Sequence, residues 1–369
     1  MQLLRSSPLL SMTLEARNRR VQAAACLGLC LAIAFLELFP PSLRAAEPNH
    51  INGLEFRGEV NLPPKTVPFR RQIFLTLFGV KKPFRGRAWG DSKGRFRFHN
   101  LPPGTYTLSI YIPGVGEVLQ TVDVTESFAD SNGRVEKKFV FDEQALRVHA
   151  RPLNNATVSV RELSIPYKAW GEFSKAQSRL RARDIEGAIE HMKRAVELAP
   201  KFSEALNNLG TIYFQRQDYS TAETYFRKAL SAEPNAFEPL VNLGGVLLSL
   251  GSAREAMEIN QRAHDARPQD SLANAQLGLS YFRLGDFEHA VQYLEQTKFL
   301  DPAHFSNPQI ALARIYLRRS QYEAAVRELR DFLEQHPDAP EAMNVRATIE
   351  KIQRSQTSAA GERLSLYGP

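Results

Sequence analysis

Histidines, cysteines and paired carboxylates are the side chains from which metal sites, nucleophiles and acid–base pairs are built, and in this chain they are scattered. The eight histidines, His50, His99, His149, His191, His264, His289, His304 and His336, stand at least 15 residues apart, so no two can share one helical face as a metal pair. Cys26 and Cys30 are the only cysteines, too few for a disulfide framework or a four-thiolate zinc site. No Gly-x-x-x-x-Gly-Lys-Ser/Thr loop, His-Glu-x-x-His helix or Gly-x-Ser-x-Gly elbow occurs, and Gly114-Val115-Gly116 reads as a turn. The dicarboxylate Asp142-Glu143 falls at an expected turn, which leaves no acid–base pair. These residues predict no enzyme, no metal and no cofactor.

What does recur is a lattice of small residues and prolines. A Gly or Ala, an Ala twelve positions later and a Pro twelve later again appear five times. The sets are Ala176, Ala188 and Pro200; Gly210, Ala222 and Pro234; Gly244, Ala256 and Pro268; Gly278, Ala290 and Pro302; and Ala313, Ala325 and Pro337. The first four sets repeat every 34 residues and the fifth begins one residue late. Small side chains at two points of a helical pair let the helices approach closely where they cross. Proline ends the second helix, because it donates no backbone hydrogen bond and restricts the residue before it.

The unit resembles the tetratricopeptide repeat, and the second copy shows it best in Leu209-Gly210-Thr211-Ile212-Tyr213, Ala222, Tyr225-Phe226, Ala229 and Pro234. Five units are expected over 169–339. The departures are Lys175 and Arg179 in the first, Asn260 for a large apolar residue in the third, and an insertion near Phe305 in the fifth. A capping helix is expected over 340–354, where Ala342, Val345, Ile349 and Ile352 keep helical spacing, and a disordered tail over 355–369. The resemblance implies an α-helical superhelix whose first helices line a groove for a protein or peptide partner. Its groove positions fall on Asn207, Thr211, Gln215, Asn242, Gln276, Arg283, Arg314 and Arg318. The carboxylate clamp of some relatives is not reproduced, since Asn207 and Thr211 occupy two of its places.

Ahead of the repeats, short alternating runs are separated by turn residues: Phe56 to Val60, Ile73 to Leu77, Arg95 to Phe98, Tyr106 to Ile110, Val118 to Val124, Lys137 to Phe141 and Thr157 to Val160. Period-two alternation buries one face and wets the other, and seven such strands predict a β-sandwich over 47–162. Gly58-Glu59-Val60, Asp91 to Phe98 and Asn100-Leu101-Pro102-Pro103-Gly104-Thr105-Tyr106 resemble the carboxypeptidase regulatory-like, transthyretin-related domain. That resemblance implies an immunoglobulin- or transthyretin-like sandwich without catalysis, used in extracytoplasmic proteins. Residues 142–162 exceed the usual domain and are expected to add a strand or connector, with a linker at 163–168. Lys65, Arg70, Arg71, Lys81, Lys82, Arg85, Arg87, Lys93, Arg95 and Arg97 form a cationic face suited either to anionic lipid or glycan, or to keeping strand edges apart. Trp89 and Phe84 read either as a sugar platform or as packing.

Arg17, Arg19 and Arg20 precede the uncharged stretch Ala23–Leu36. Fourteen helical residues rise ~21 Å, short of a ~30 Å hydrocarbon core, and Ala45-Ala46 supplies small residues after the breakers Pro40-Pro41. Residues 1–46 therefore read as a signal peptide. The alternative is a retained membrane anchor over 21–39. Removing residues 1–46 takes net +3 of the chain's +7, leaving +5 on 47–162 and −1 on 163–369. The basic balance is confined to the sandwich, so no nucleic-acid partner is expected. Together these readings predict an exported, non-catalytic interaction scaffold of the bacterial periplasm or cell envelope. The alternative is a glycan-binding or adhesion module in which the sandwich binds and the repeats space or oligomerise.

Overall fold

A computed structural model of the chain describes residues 53–63, 73–113, 115–149 and 164–366; the expected signal peptide or anchor lies outside them, as do Lys65, Arg70, Arg71 and the strand expected at 157–160. Seven strands form two sheets. Strands β1 (Leu54–Asn61), β4 (Arg95–Leu101) and β7 (Arg134–Val140) make a three-stranded sheet in the order β4-β1-β7. Strands β2 (Phe74–Gly79), β3 (Arg85–Trp89), β5 (Gly104–Ile112) and β6 (Gly116–Val124) make a four-stranded sheet in the order β3-β2-β5-β6. All ladders are antiparallel except β1 with β7, which runs parallel from Glu55↔Arg134 to Asn61↔Val140. One core joins the inner faces: Phe56, Phe96, Phe98 and Phe139 from one sheet meet Leu75, Leu77, Leu108, Ile110 and Val122 from the other. Gly94 and Gly133 take φ of 73° and 71° in the turns before β4 and β7, where glycine escapes the Cβ penalty of the left-handed region.

Two expectations are corrected. Strand β3 is absent from the alternating runs of the sequence: Arg-Gly-Arg-Ala-Trp has no apolar alternation because its outward residues are charged or half-covered. Residues 143–149 form a helix, α1 (Glu143–His149), in place of a strand or plain connector; Asp142 accepts from the Ala145 N–H at its start and Leu146 seats in the core between the sheets.

Five helical pairs follow: α2 (Tyr167–Arg181) with α3 (Ile185–Leu198), α4 (Ser203–Gln215) with α5 (Tyr219–Ala232), α6 (Phe237–Ser249) with α7 (Ala253–Ala266), α8 (Ser271–Leu284) with α9 (Phe287–Leu300), and α10 (Pro308–Arg318) with α11 (Tyr322–Gln335). The first begins inside the expected linker. The small residues of the lattice, Ala176 and Ala188, Gly210 and Ala222, Gly244 and Ala256, Gly278 and Ala290, and Ala313 and Ala325, are all buried, one on each helix of a pair. Pro200, Pro234, Pro268, Pro302 and Pro337 each lie two positions beyond the end of a second helix, so each closes its unit without entering the helix it ends. A side chain at Gly210 would place its Cβ 2.6 Å from the Phe226 ring, and one at Gly278 would lie 2.9 Å from Leu294 Cγ. In the third pair Asn260 fills this slot against Gly244, and its amide donates to Ser280 Oγ at 3.0 Å. Asp184, Asp218 and Asp286 each accept from a backbone N–H three residues on and cap α3, α5 and α9. The turn before each second helix passes through a left-handed residue: Arg183, Gln217, Gly251, Gly285 or Ser320.

The closing helix α12 (Ala342–Leu366) continues past 354, so the expected tail over 355–366 is helical. No proline interrupts Ala342 to Leu366, and adding residues to an existing helix is far easier than nucleating one.

The sheet region is docked on the repeats. On the outer face of the four-stranded sheet Thr76, Ser109 and Thr121 are buried, although the core between the two sheets lies on the other side. Arg85 donates to Gln177 on α2 at 2.7 Å, and Gln215 on α4 donates to the carbonyls of Gly79 and Val80 at 2.8 and 3.2 Å. At the other end Asp301, just after α9, accepts from the Thr121 N–H and hydroxyl at 3.0 and 2.6 Å. His336 after α11 meets Asp123 at 2.7 Å, and Thr125 donates to Asp338 at 2.6 Å. The sheet thus reaches from the first and second pairs to the fourth and fifth.

Candidate partner-binding surfaces

The expected groove residues divide into three groups. Asn207, Thr211 and Asn242 bond to one another: Asn242 Nδ2 donates to Asn207 Oδ1 at 3.0 Å and to Thr211 Oγ1 at 3.5 Å. Helical spacing puts Asn207 and Thr211 one turn apart on α4, so a single amide from α6 reaches both. Gln215, one turn further, holds the sheet region rather than standing open. Gln276 on α8 lies over Gly245, where a Cβ would stand 2.7 Å from its Nε2, and its buried Oε1 has no partner among the described residues.

Arg283, Arg314 and Arg318 form the third group, Arg283 and Arg318 at the C-terminal ends of α8 and α10 and Arg314 one turn before Arg318. All three are exposed. Arg318 lies 5.3 Å from the centre of the Phe287 ring, a favourable cation–π distance. The packed wall around the Arg314 guanidinium, together with the charge of Arg283, holds Arg314 below the usual arginine range. Neither Arg283 nor Arg314 has an acidic partner among the described residues. Two like charges near each other repel, and an arginine fork is of the geometry that suits a carboxylate.

A second surface lies on the sheet region. The outer face of the three-stranded sheet and the side of β3 enclose a cleft of about 940 Å³. Trp89 stands in its wall, 61% exposed and 4.8 Å from the Phe74 ring. The expected Trp89–Phe84 platform does not form, because Phe84 turns away to pack on Tyr106 at 5.6 Å. The cationic face is also divided. Arg85 is taken by the repeats, Arg95 pairs with Asp91 at 2.7 Å, and Arg87 and Arg97 face the cleft. Arg95 in turn pulls the Asp91 carboxyl down to about 2.

The ionisable groups that burial perturbs most sit where the sheet meets the repeats. Burial raises the Asp301 carboxyl to about 6 against the pull of Thr121 and Lys137, and lowers the His304 imidazole to about 3. Ser306 N–H donates to His304 Nδ1 at 3.2 Å, which places the ring proton of the neutral form on Nε2. Sequence reasoning misses this cluster, because Thr121 and Asp301 are 180 residues apart. Among the described residues, no group of His, Cys, Asp and Glu is placed to hold a metal ion, and no helix is long and apolar enough to cross a membrane.

Among curated proteins, the chain is 26% identical over 170 residues to anaphase-promoting complex subunit 3 of Schizosaccharomyces pombe, covering 46% of this chain and 25% of that protein. It is 31% identical over 150 residues to human tetratricopeptide repeat protein 5, covering 36% and 34%. The chain spans about a quarter to a third of the length of the curated relatives it matches first. Among solved structures, MamA from Desulfovibrio magneticus is 24% identical, with 47% of this chain and 98% of that one covered and a TM-score of 0.43. YrrB, described as a repeat protein of this kind with an unusual peptide-binding site, is 23% identical, with 51% and 95% covered and a TM-score of 0.42. The tetratricopeptide-repeat family itself matches residues 173–239, 213–278, 272–304 and 306–349. Those matches fall on the paired helices α2 to α11, which are therefore an array of tetratricopeptide repeats.

Proposed function

We propose that the chain is an exported, non-catalytic scaffold whose repeat array holds a partner polypeptide at the envelope of a bacterium. The observation that carries this reading is the pair Arg283 and Arg314, side by side on first helices of successive units and without an acidic partner among the described residues. Such a pair costs stability unless an anion meets it. The part of the face around Gln215 is filled by the sheet region, so the partner lies toward the fourth and fifth units. The export half rests on Arg17 to Ala46, with the sandwich as an extracytoplasmic accessory module of the carboxypeptidase regulatory-like kind. The test compares affinity capture from envelope extract by the intact chain and by a variant with Ala at Asn207, Asn242, Arg283 and Arg314. Loss of specific polypeptides from the variant is expected, and equal recovery overturns the assignment. N-terminal sequencing of the mature chain is expected to read from Glu47, whereas an intact Val21–Phe39 segment in the membrane fraction would replace the signal peptide by an anchor.

A further inference from the structure

The cleft on the sheet region carries three features that the fold itself does not need. Arg97 on β4 stands directly opposite Arg57 on β1, and like charges in cross-strand pairs are destabilising. Arg57 is matched by Glu55 at 2.9 Å, but the Arg97 side chain has no ion pair or hydrogen bond among the described residues. Across the cleft Arg87 on β3 lies 5.9 Å from the centre of the Phe74 ring and likewise has no ion pair among the described residues. Trp89 beside it leaves most of an indole in water, which forgoes one of the largest burial terms a side chain can contribute. An edge guarded against strand pairing needs charge, but it gains nothing from an exposed tryptophan.

We propose that this cleft is a second binding site, taking a polypeptide segment that presents carboxylates to Arg87 and Arg97 and an apolar side chain to Trp89. The inference rests on the scaffold reading, since it supplies that scaffold with a second contact to a polypeptide. The charge pattern selects a polypeptide over a uniformly anionic polymer. Glu59 and Glu136 also face the cleft, cross-strand from Arg95 and Arg57, so carboxylates interrupt its cationic lining. A sulfated glycan or an anionic bilayer would bring its charges against both, whereas a polypeptide can set a basic residue there and acidic ones at the arginines. Volume is consistent: about 940 Å³ accommodates a short extended segment rather than a single small ion. Arg97 lies on the three-stranded sheet, whereas Arg87 and Trp89 share the outward face of β3 with Arg85, which bonds to Gln177 on α2, so the site borders the docked face.

The test selects random 12-residue peptides for binding to the full chain. The affinity of the enriched peptides is then measured for the wild type, for Arg87→Ala with Arg97→Ala, for Trp89→Ala, and for Arg283→Ala with Arg314→Ala. Enrichment of acidic peptides with one large apolar residue is expected. Their affinity should fall at least about tenfold for the first two variants and less than twofold for the third. Heparin and phosphatidylglycerol vesicles serve as the glycan and lipid probes. The proposal is overturned by the absence of an acidic pattern, by peptide affinities that ignore both cleft variants, or by heparin or vesicle binding that needs Arg97 when peptide binding does not. Arg97→Ala removes a like-charge pair and is expected to melt no lower than the wild type, which separates lost binding from lost folding. Failure here with capture still dependent on Arg283 and Arg314 leaves the scaffold reading standing. The converse result removes the array assignment alone.

Discussion

Asp301 shows how one side chain couples the two regions to pH. Its Oδ2 accepts two hydrogen bonds from Thr121, while its Oδ1 is buried without a partner among the described residues. Lys137 faces it with charge of the opposite sign, yet desolvation prevails and the carboxyl titrates at about 6, against about 3.9 in an unfolded chain. The folded state therefore binds the proton more tightly. The stability this gives is present at low pH and is lost as pH rises from about 4 to about 6. His304 acts in the opposite sense: its folded value lies below the ordinary one, so its contribution is lost as pH falls below about 6.5. Replacing Asp301 by Asn keeps an acceptor for Thr121 and removes only the first effect. The stability of Asp301→Asn minus that of the wild type, from urea melts at pH 4.5, 5.5 and 6.5, is expected to rise with pH by up to about 3 kcal/mol and then level off. A difference that stays constant across this range would show that Asp301 is not held protonated at the interface.

At the scale of elements, two glycines of similar helical setting should respond in opposite directions. Gly210 on α4 faces the ring of Phe226, and a Cβ there would approach Cε1 to 2.6 Å. Gly210→Ala is expected to destabilise the array by about 1–3 kcal/mol, the usual effect of overpacking. Gly171 on α2 has nothing within 4 Å of its would-be Cβ, so Gly171→Ala should stabilise by about 0.5–1 kcal/mol through helix propensity alone. Chemical denaturation of both variants checks the pair, and the same sign for both would remove the crossing argument. The contrast explains which elements are legible in the sequence. The Gly210–Phe226 and Gly278–Leu294 slots recur at multiples of 34 residues because the same crossing recurs, and core strands such as β2 and β5 show themselves in alternation. Strand β3 does not, since its Arg85 bonds to another region and its Trp89 stays in water. The capping aspartates 184, 218 and 286 keep the lattice spacing and are a further signal of the same period.

At the scale of the molecule, the sequence carries no sign that the two regions meet, because the meeting is made by polar residues whose partners are remote. Gln215 and Gly79 are 136 residues apart, and Thr125 and Asp338 are 213 apart. No apolar periodicity marks such contacts, and each of these side chains alone looks solvated. Their distribution nonetheless has a mechanical consequence. Gln177 and Gln215 hold one end of the four-stranded sheet to the first two units, while Asp301, His336 and Asp338 hold the other end to the last two. A repeat array has contacts mainly between neighbouring units and bends readily along its length, so a sheet attached at both ends acts as a brace. Polar contacts between domains are individually weak, and cutting one end should free the array without unfolding either part. Asp301→Ala with His336→Ala and Asp338→Ala, which removes all three side chains at that end, is therefore expected to keep the melting behaviour of the sheet core. It should enlarge the radius of gyration in solution scattering and speed amide exchange in β6 and at residues 300–304. An unchanged scattering profile with unchanged exchange in β6 would mean that the first two units alone fix the sheet, and that the array is not braced.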